Sequence, residues 1–247
     1  MDRLIYTAMT GAIHTLNQQA TVSQNLSNAS TTGYRAEMNA FRAVPIFGDG
    51  LPTRAFVVDS TTGSDFTPGP IQQTGRNLDV AVQGSGWITV QLENGEEAYT
   101  RQGNLQINAN GVLQTQSGLN VKGDAGLITA PPDNRITIAK DGTVSAVPIT
   151  PLPNTVVIID RIKLVDPPAE QLVKGGDGLF RLRQGGEANS DARVFLTTGA
   201  LEGSNVNLVQ EMVSMIALAR QFDMQMKILE SAEHNAQQAS EIMVIRA

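Results

Sequence analysis

Apolar residues at Ile5, Met9, Ala12, Leu16 and Leu26 recur at steps of three or four, or multiples of them, across a proline-free stretch from Asp2 to about Ser27. That spacing predicts one apolar stripe on a helix. The stripe dissolves into Asn28-Ala-Ser-Thr-Thr-Gly33, whose short polar side chains compete for backbone hydrogen bonds and whose glycine suits a left-handed cap. A helix end between Asn28 and Gly33 is expected. Residues 44–77 then carry four prolines and five glycines, which excludes a helix and reads as an extended connector.

From Leu78 the period changes to two. Leu78-Asp-Val-Ala-Val-Gln, Trp87-Ile-Thr-Val-Gln-Leu, Ala98-Tyr-Thr-Arg and Asn104-Leu-Gln-Ile-Asn are separated by turn signals at Asn94-Gly95 and Asn110-Gly111, with more at Asp141-Gly142 and Asp177-Gly178. Short strands broken this often predict an all-β domain, closing near Val194–Gly199. Beyond Gly203 neither Gly nor Pro occurs as far as Ala247, with Ser204 or Asn205 placed to cap a helix. Such a helix would be on the order of 60 Å long at 1.5 Å per residue. Leu208, Met212, Met215, Ala219, Phe222, Met226, Leu229, Ala236 and Met243 follow steps of four and three or their sums, interrupted at Glu233 and Ser240. A 3.5-residue period calls for a long, narrow helical partner. Docking of both terminal helices on the β domain is the alternative, although such a helix normally shows a wider apolar face.

The fold class is therefore α+β. It comprises an N-terminal helix in 1–34, an extended connector in 35–77, a central β domain in 78–200 and a long C-terminal helix in 201–247. The terminal helices make a discontinuous domain.

Composition narrows the chemistry. The 247 residues include no cysteine, which excludes disulfides, thiolate metal sites and a cysteine nucleophile. A net charge of −6 disfavours nucleic-acid binding. Charged residues are only 17%, whereas 68 residues are Asn, Gln, Ser or Thr, so the polar surface is largely neutral amide and hydroxyl. No run of 18 apolar residues occurs and an acid stands at position 2, so neither membrane insertion nor a cleavable secretory signal is expected. His14 and His234 stand apart from any second ligand type, and no nucleophile elbow, phosphate loop or dinucleotide motif is present. Glu96-Glu97 beside a turn reads as solvated, and Trp87 as core. Catalytic residues, metal and cofactor are all expected to be absent.

Four blocks together carry a resemblance. Asn25-Leu-Ser-Asn28-Ala-Ser-Thr-Thr32-Gly33-Tyr34-Arg35 follows the first helix. Leu78-Asp79-Val-Ala-Val-Gln-Gly84-Ser-Gly86-Trp87 and Tyr99-Thr100-Arg101-Gln-Gly103 lie in the β region. Ser204-Asn205-Val206, Glu211-Met212 and Arg220 open the last helix. In this order they resemble the signatures of the bacterial flagellar rod and hook family. Leu16–Ala20, Leu51–Arg54 and Leu201–Asn205 are most similar to its proximal-rod members, with distal-rod members next. Trp87 and Ser27 stand where many relatives carry Phe and Ala.

The resemblance implies a structural subunit of the periplasmic rod, exported by the flagellar type III apparatus and assembling helically with copies of itself and with proximal and distal rod proteins. The apolar positions of the two terminal helices would be its assembly interface, with a seam buried only on assembly. A cell-wall enzyme would instead need a carboxylate pair in a cleft. A periplasmic binding module would need an export signal and no long seam.

Overall fold

The computed structural model describes residues 2–45, 55–148 and 156–244. In chain order the elements are α1 (Asp2–Ser27), β1 (Glu37–Pro45), β2 (Ala55–Ser64), β3 (Ile71–Gln73), β4 (Val80–Gln83), β5 (Trp87–Gln91), β6 (Glu97–Thr100), β7 (Leu105–Ile107), β8 (Leu113–Thr115) and β9 (Asn120–Val121). There follow β10 (Asn134–Ile138), β11 (Thr143–Pro148), β12 (Val157–Arg161), β13 (Leu164–Val165), a 3-10 turn at Ala169–Gln171, β14 (Leu172–Lys174), β15 (Phe180–Leu182), β16 (Phe195–Thr198), β17 (Ala200–Glu202) and α2 (Leu208–Val244). They fall into two units. Unit 1 is Met1–Ala29, Ala36–Asp65 and Val206–Ala247, and unit 2 is Ser30–Arg35 and Phe66–Asn205.

Unit 1 is built on the pairing of α1 with α2. Asn25 meets Glu211 and Thr15 meets Gln225, so the helices run antiparallel. Gly11 admits the Gln225 amide, since a methyl group there would lie 3.1 Å from Gln225 Nε2. The segment read as an extended connector is in part a long antiparallel hairpin, with β1 and β2 in register from Glu37↔Ser64 to Pro45↔Ala55. Its register shifts at Ala40/Phe41. Phe41 meets the His14 ring edge-on at 5.7 Å, and Asn39 Nδ2 donates to Thr21 Oγ1 at 2.7 Å, which seats the hairpin on α1. Pro45 ends β1 and Gly63 stands next to the last residue of β2, so the density of Pro and Gly concealed two extended runs that pair with each other.

Helix α2 starts later than its expected caps. Asn207 Oδ1 accepts from the Gln210 N–H at 3.2 Å, making Asn207 the N-cap. Asn205, an expected cap, instead donates from Nδ2 to the Thr67 carbonyl.

Unit 2 is antiparallel throughout. A sheet ordered β14-β15-β6-β5-β9-β8-β7, with β13 also on β5, is joined by β10-β11-β12, β16-β4 and β17-β3. Its main core gathers Val80, Ile88, Leu105, Leu113, Ile162, Leu164 and Leu196 among others. A second cluster stacks Trp87 on Phe180 with ring centroids 4.5 Å apart, Phe66 standing edge-on to Trp87 at 6.0 Å.

One sequence expectation is overturned here. Glu97 is not solvated. Its carboxylate is buried and pairs with Lys163 Nζ at 2.6 Å and Lys122 Nζ at 2.7 Å. All of β6 is buried, so Glu97 lies inside, where Lys122, just after β9, and Lys163, just before β13, make its charge tolerable. The Lys122 ammonium is held above the ordinary lysine range by its bond to Glu97. Burial likewise pushes the Tyr99 phenol up, while its oxygen accepts from the Ala188 N–H at 2.9 Å.

Both raised groups bind protons more tightly when folded, so their stabilisation is full below their unfolded pKa values and is withdrawn as pH climbs through the folded ones. The resistance of unit 2 to denaturant should therefore fall as pH rises past about 10, the ordinary tyrosine value. Tyr99→Phe should cost about 1 kcal/mol at neutral pH through the lost hydrogen bond, and should flatten that alkaline decline. An identical alkaline slope in the variant would leave Tyr99 without a part in it.

Candidate assembly interface

The covered faces of the helix pair obey a strict alternation of three and four. On α1 they carry Ile5, Ala8, Ala12, Thr15, Gln19, Val22 and Leu26, all buried or half-buried. On α2 they carry Glu211, Met215, Leu218, Phe222, Gln225, Leu229 and Ala232, all half-buried. Of the positions assigned to the interface from sequence, Ile5, Ala12, Leu26, Met215, Phe222 and Leu229 belong to this internal seam, and Ala219 is half-buried beside it. The others divide off. Met9, Leu16, Leu208, Met212 and Met226 are exposed at 45 to 47%. Ala236 is also exposed, and the Met243 side chain lies outside the described residues, as does Leu51–Arg54.

The sequence reading merged two stripes because it followed apolar letters alone. Thr15, Glu211 and Gln225 occupy seam positions as polar residues that bond across the pair, Thr15 Oγ1 donating to Gln225 Oε1 at 3.1 Å. Met212 and Met226 stand one position away from Glu211 and Gln225, on the open side.

That open side is strongly apolar. Tyr6, Met9, Ile13 and Leu16 form an exposed stripe on α1 at steps of three and four. Leu208, Val209, Met212, Val213 and Ile216 make a broad exposed face over the first turns of α2, followed by Met224, Met226 and Ile228. Ile13, Val209, Val213 and Ile216 were missed from sequence. Their signal was a second stripe beside the first, at the same 3.5 period. Clustered exposed apolar side chains of this kind are characteristic of interaction surfaces.

Many of the motif residues have a different role: they fasten turns. Asn25 is buried at the end of α1, where Nδ2 donates to the Glu37 carbonyl at 2.9 Å and Oδ1 accepts from the Glu37 N–H at 2.8 Å. The same Nδ2 lies 3.3 Å from Glu211 Oε1. Asn28 Nδ2 donates to the Gln24 carbonyl and closes the helix end. Gly33 turns the chain at a positive φ of 68°, where an added methyl group would collide with the Arg101 backbone. Thr32 is half-buried in the same turn.

In unit 2 the Lys174 ammonium lies over the Tyr34 ring at 4.0 Å. Arg35, Arg101 and Glu202 meet in a buried ionic cluster. Burial pushes the Arg101 guanidinium below its ordinary range, with Glu202 opposing. Arg101 Nη2 donates to the Gly84 carbonyl and its carbon stands 5.2 Å over Trp87, so Trp87 supports a cation as well as the core. Asp79 accepts from Thr74 Oγ1 at 2.7 Å beside the half-buried Leu78, and Thr100 Oγ1 accepts from the Gln102 N–H. The Gly103 carbonyl accepts from the Val80 N–H, and Gly86 lies against the Val194 side chain. Ser204 is buried, Val206 half-buried and Arg220 exposed. Glu202 was missed from sequence, a lone acid in a short strand giving no sign of two arginine partners.

Known proteins match these same regions. The model described as "Flagella basal body rod protein" matches residues 5–35. "Flagellar hook protein FlgE/F/G D1 domain" matches 81–146, and "Flagellar basal body rod FlgEFG protein C-terminal" matches 197–242. The flagellar basal-body rod protein FlgF of Escherichia coli (strain K12) is 47% identical, covering 98% of this chain and 99% of that protein. FlgF of Caulobacter vibrioides is 32% identical over 98% of each. The rod protein FlgG of Borreliella burgdorferi is 28% identical, over 95% of this chain and 96% of that protein.

The two-way bond of Asn25 yields a local test. Asn25→Ala should cost about 1–3 kcal/mol, since it removes buried hydrogen bonds to the backbone. The loss should register in denaturant unfolding of unit 1 and as faster exchange of the Glu37 amide.

Proposed function

The chain belongs to the FlgF-type flagellar basal-body rod proteins, a structural family, and from that premise we propose that the exposed helix faces of unit 1 assemble it helically into the proximal part of the rod. The observation that supports this reading is the pair of unpartnered apolar faces, one on each terminal helix. They are displaced along the pair. The α1 stripe centres near residue 11, whereas the α2 face centres near residue 212, which lies opposite the last turns of α1 in the antiparallel register set by Asn25 and Glu211. At 1.5 Å per residue the offset is about 20 Å.

Two different patches at different heights favour heterologous contacts, which build open helical assemblies rather than closed dimers. Covering a half-exposed Leu, Ile or Met contributes roughly 1 kcal/mol. A dozen such side chains make sliding or bending of packed helices costly, and torque transmission from motor to hook requires that stiffness. In this reading the neighbours are copies of the same chain and other rod proteins, proximal and distal, and the chain reaches the periplasm through the flagellar type III export apparatus.

The test separates folding from assembly. Ile13→Arg and Val213→Arg, each at an exposed position, should change stability by no more than about 0.5 kcal/mol. Cells carrying either variant should hold normal amounts of folded protein, lack it in isolated basal bodies and be non-motile. Met226→Arg should behave alike, whereas Leu229→Arg should also destabilise the helix pair. Normal rods with Arg at both 13 and 213 would refute the assignment of these faces.

A further inference from the structure

The chain passes between the two units at 29/30, 35/36, 65/66 and 205/206. Three stretches of unit 2 lead to these points, and they are tied to one another. The Gly33 N–H donates to the Glu202 carbonyl at 2.8 Å, and the Gly203 N–H donates to the Pro70 carbonyl at 2.8 Å. Asn205 Nδ2 donates to the Thr67 carbonyl at 3.1 Å, while its N–H reaches the Tyr34 carbonyl at 3.4 Å. Gly69 is seated so closely that an added methyl group would collide with the Gly203 carbonyl.

One carboxylate serves all three stretches. Glu202 Oε1 accepts from Arg35 Nη2 at 2.6 Å and from the Gly69 N–H at 2.9 Å. Its Oε2 accepts from Arg101 Nη1 at 2.9 Å, and Arg101 is itself anchored to the Gly84 carbonyl and the Trp87 ring. The side chains of Arg35 and Glu202 are no more than 1% exposed.

Two guanidiniums share this carboxylate, and Asp166 adds a further, electrostatic attraction on Arg101. Among the described residues, Arg35 Nε and Nη1 and Arg101 Nε have no hydrogen-bond partner. A buried ionic group of this kind adds little net stability over apolar packing, but removing one member is costly because the others stay buried and unpaired. Its effect is on arrangement: only one placement of the three stretches satisfies the carboxylate.

We infer that Glu202 is a latch that makes the three stretches at the root of unit 2 hold or release together, as a local unit of opening separate from the sheet core. Glu202→Gln keeps the shape and an acceptor for Gly69 while removing the charge that gathers the arginines. Amide hydrogen exchange of the full chain reads the outcome. The amides of Gly33, Gly69, Gly203 and Asn205 should exchange at least about tenfold faster as a group, as one opening unit requires. Those of Thr89 and Lys122, bonded within the core sheet to Lys163 and Thr89, should be unchanged.

Acceleration at Gly69 alone, equal acceleration in the core, or no change would each overturn the inference. If Glu202→Gln does not fold, Glu202→Asp supplies the same comparison, because a carboxylate one methylene shorter cannot span both arginines and Gly69. The measurement is made on the free chain, so its failure is distinct from failure of the assembly reading.

Discussion

Helices of 26 and 37 residues, paired antiparallel and joined by one two-stranded hairpin, offer more apolar surface than they can cover among themselves. Each helix presents two stripes at the same 3.5 period, and a helix partner occupies only one of them. Most helical stability comes from tertiary burial of an apolar face, so a second face left open is a demand for further partners. The hairpin does not meet that demand. It packs by Phe41 on His14 and Asn39 on Thr21, while Tyr6, Met9, Ile13 and Leu16 remain open.

Unit 2 has the opposite economy. Its core residues are buried by the sheets of the same unit, and its charged interior is closed by its own lysines and arginines. Among the described residues, no group of three His, Asp or Glu side chains is disposed to hold a metal ion. Its large aromatic residues are committed to packing, with Trp87 between Phe180 and Arg101. A self-sufficient β unit in the same chain as helices that need neighbours matches the division of labour expected of a rod subunit, whose stiffness comes from packing between chains.

The helical ends and β middle were legible because hydrophobic period is a local property. Steps of three and four end at Ser27 and resume after Gly203, and alternation fills the interval. The hairpin was not legible, since its evidence is the pairing of Glu37 with Ser64 across a Pro- and Gly-rich interval, which no local period reports. For the same reason Glu97 read as solvated: its two lysines come from positions 122 and 163. The helical period of the stripes was legible but their phase was blurred, because Thr15, Glu211 and Gln225 hold inward positions as polar residues. Their hydrogen bonds satisfy what apolar bookkeeping counts as an error.

Those polar seam positions also bear on specificity. An apolar seam slips at modest cost, one heptad against the next, because Leu and Met contacts are interchangeable. Thr15 bonded to Gln225 and Asn25 bonded to Glu211 make their cross-helix pairs in one register only. A slip would break these two cross-helix bonds, at roughly 0.5–1.5 kcal/mol each, while Thr15 kept the Gly11 carbonyl and Asn25 the Glu37 backbone. The polar residues therefore set how far α1 and α2 are offset, and with it the relative heights of the two exposed faces. In a helical assembly a register error repeats at every copy. A few hydrogen bonds inside one chain thus constrain the geometry of contacts that only many chains complete.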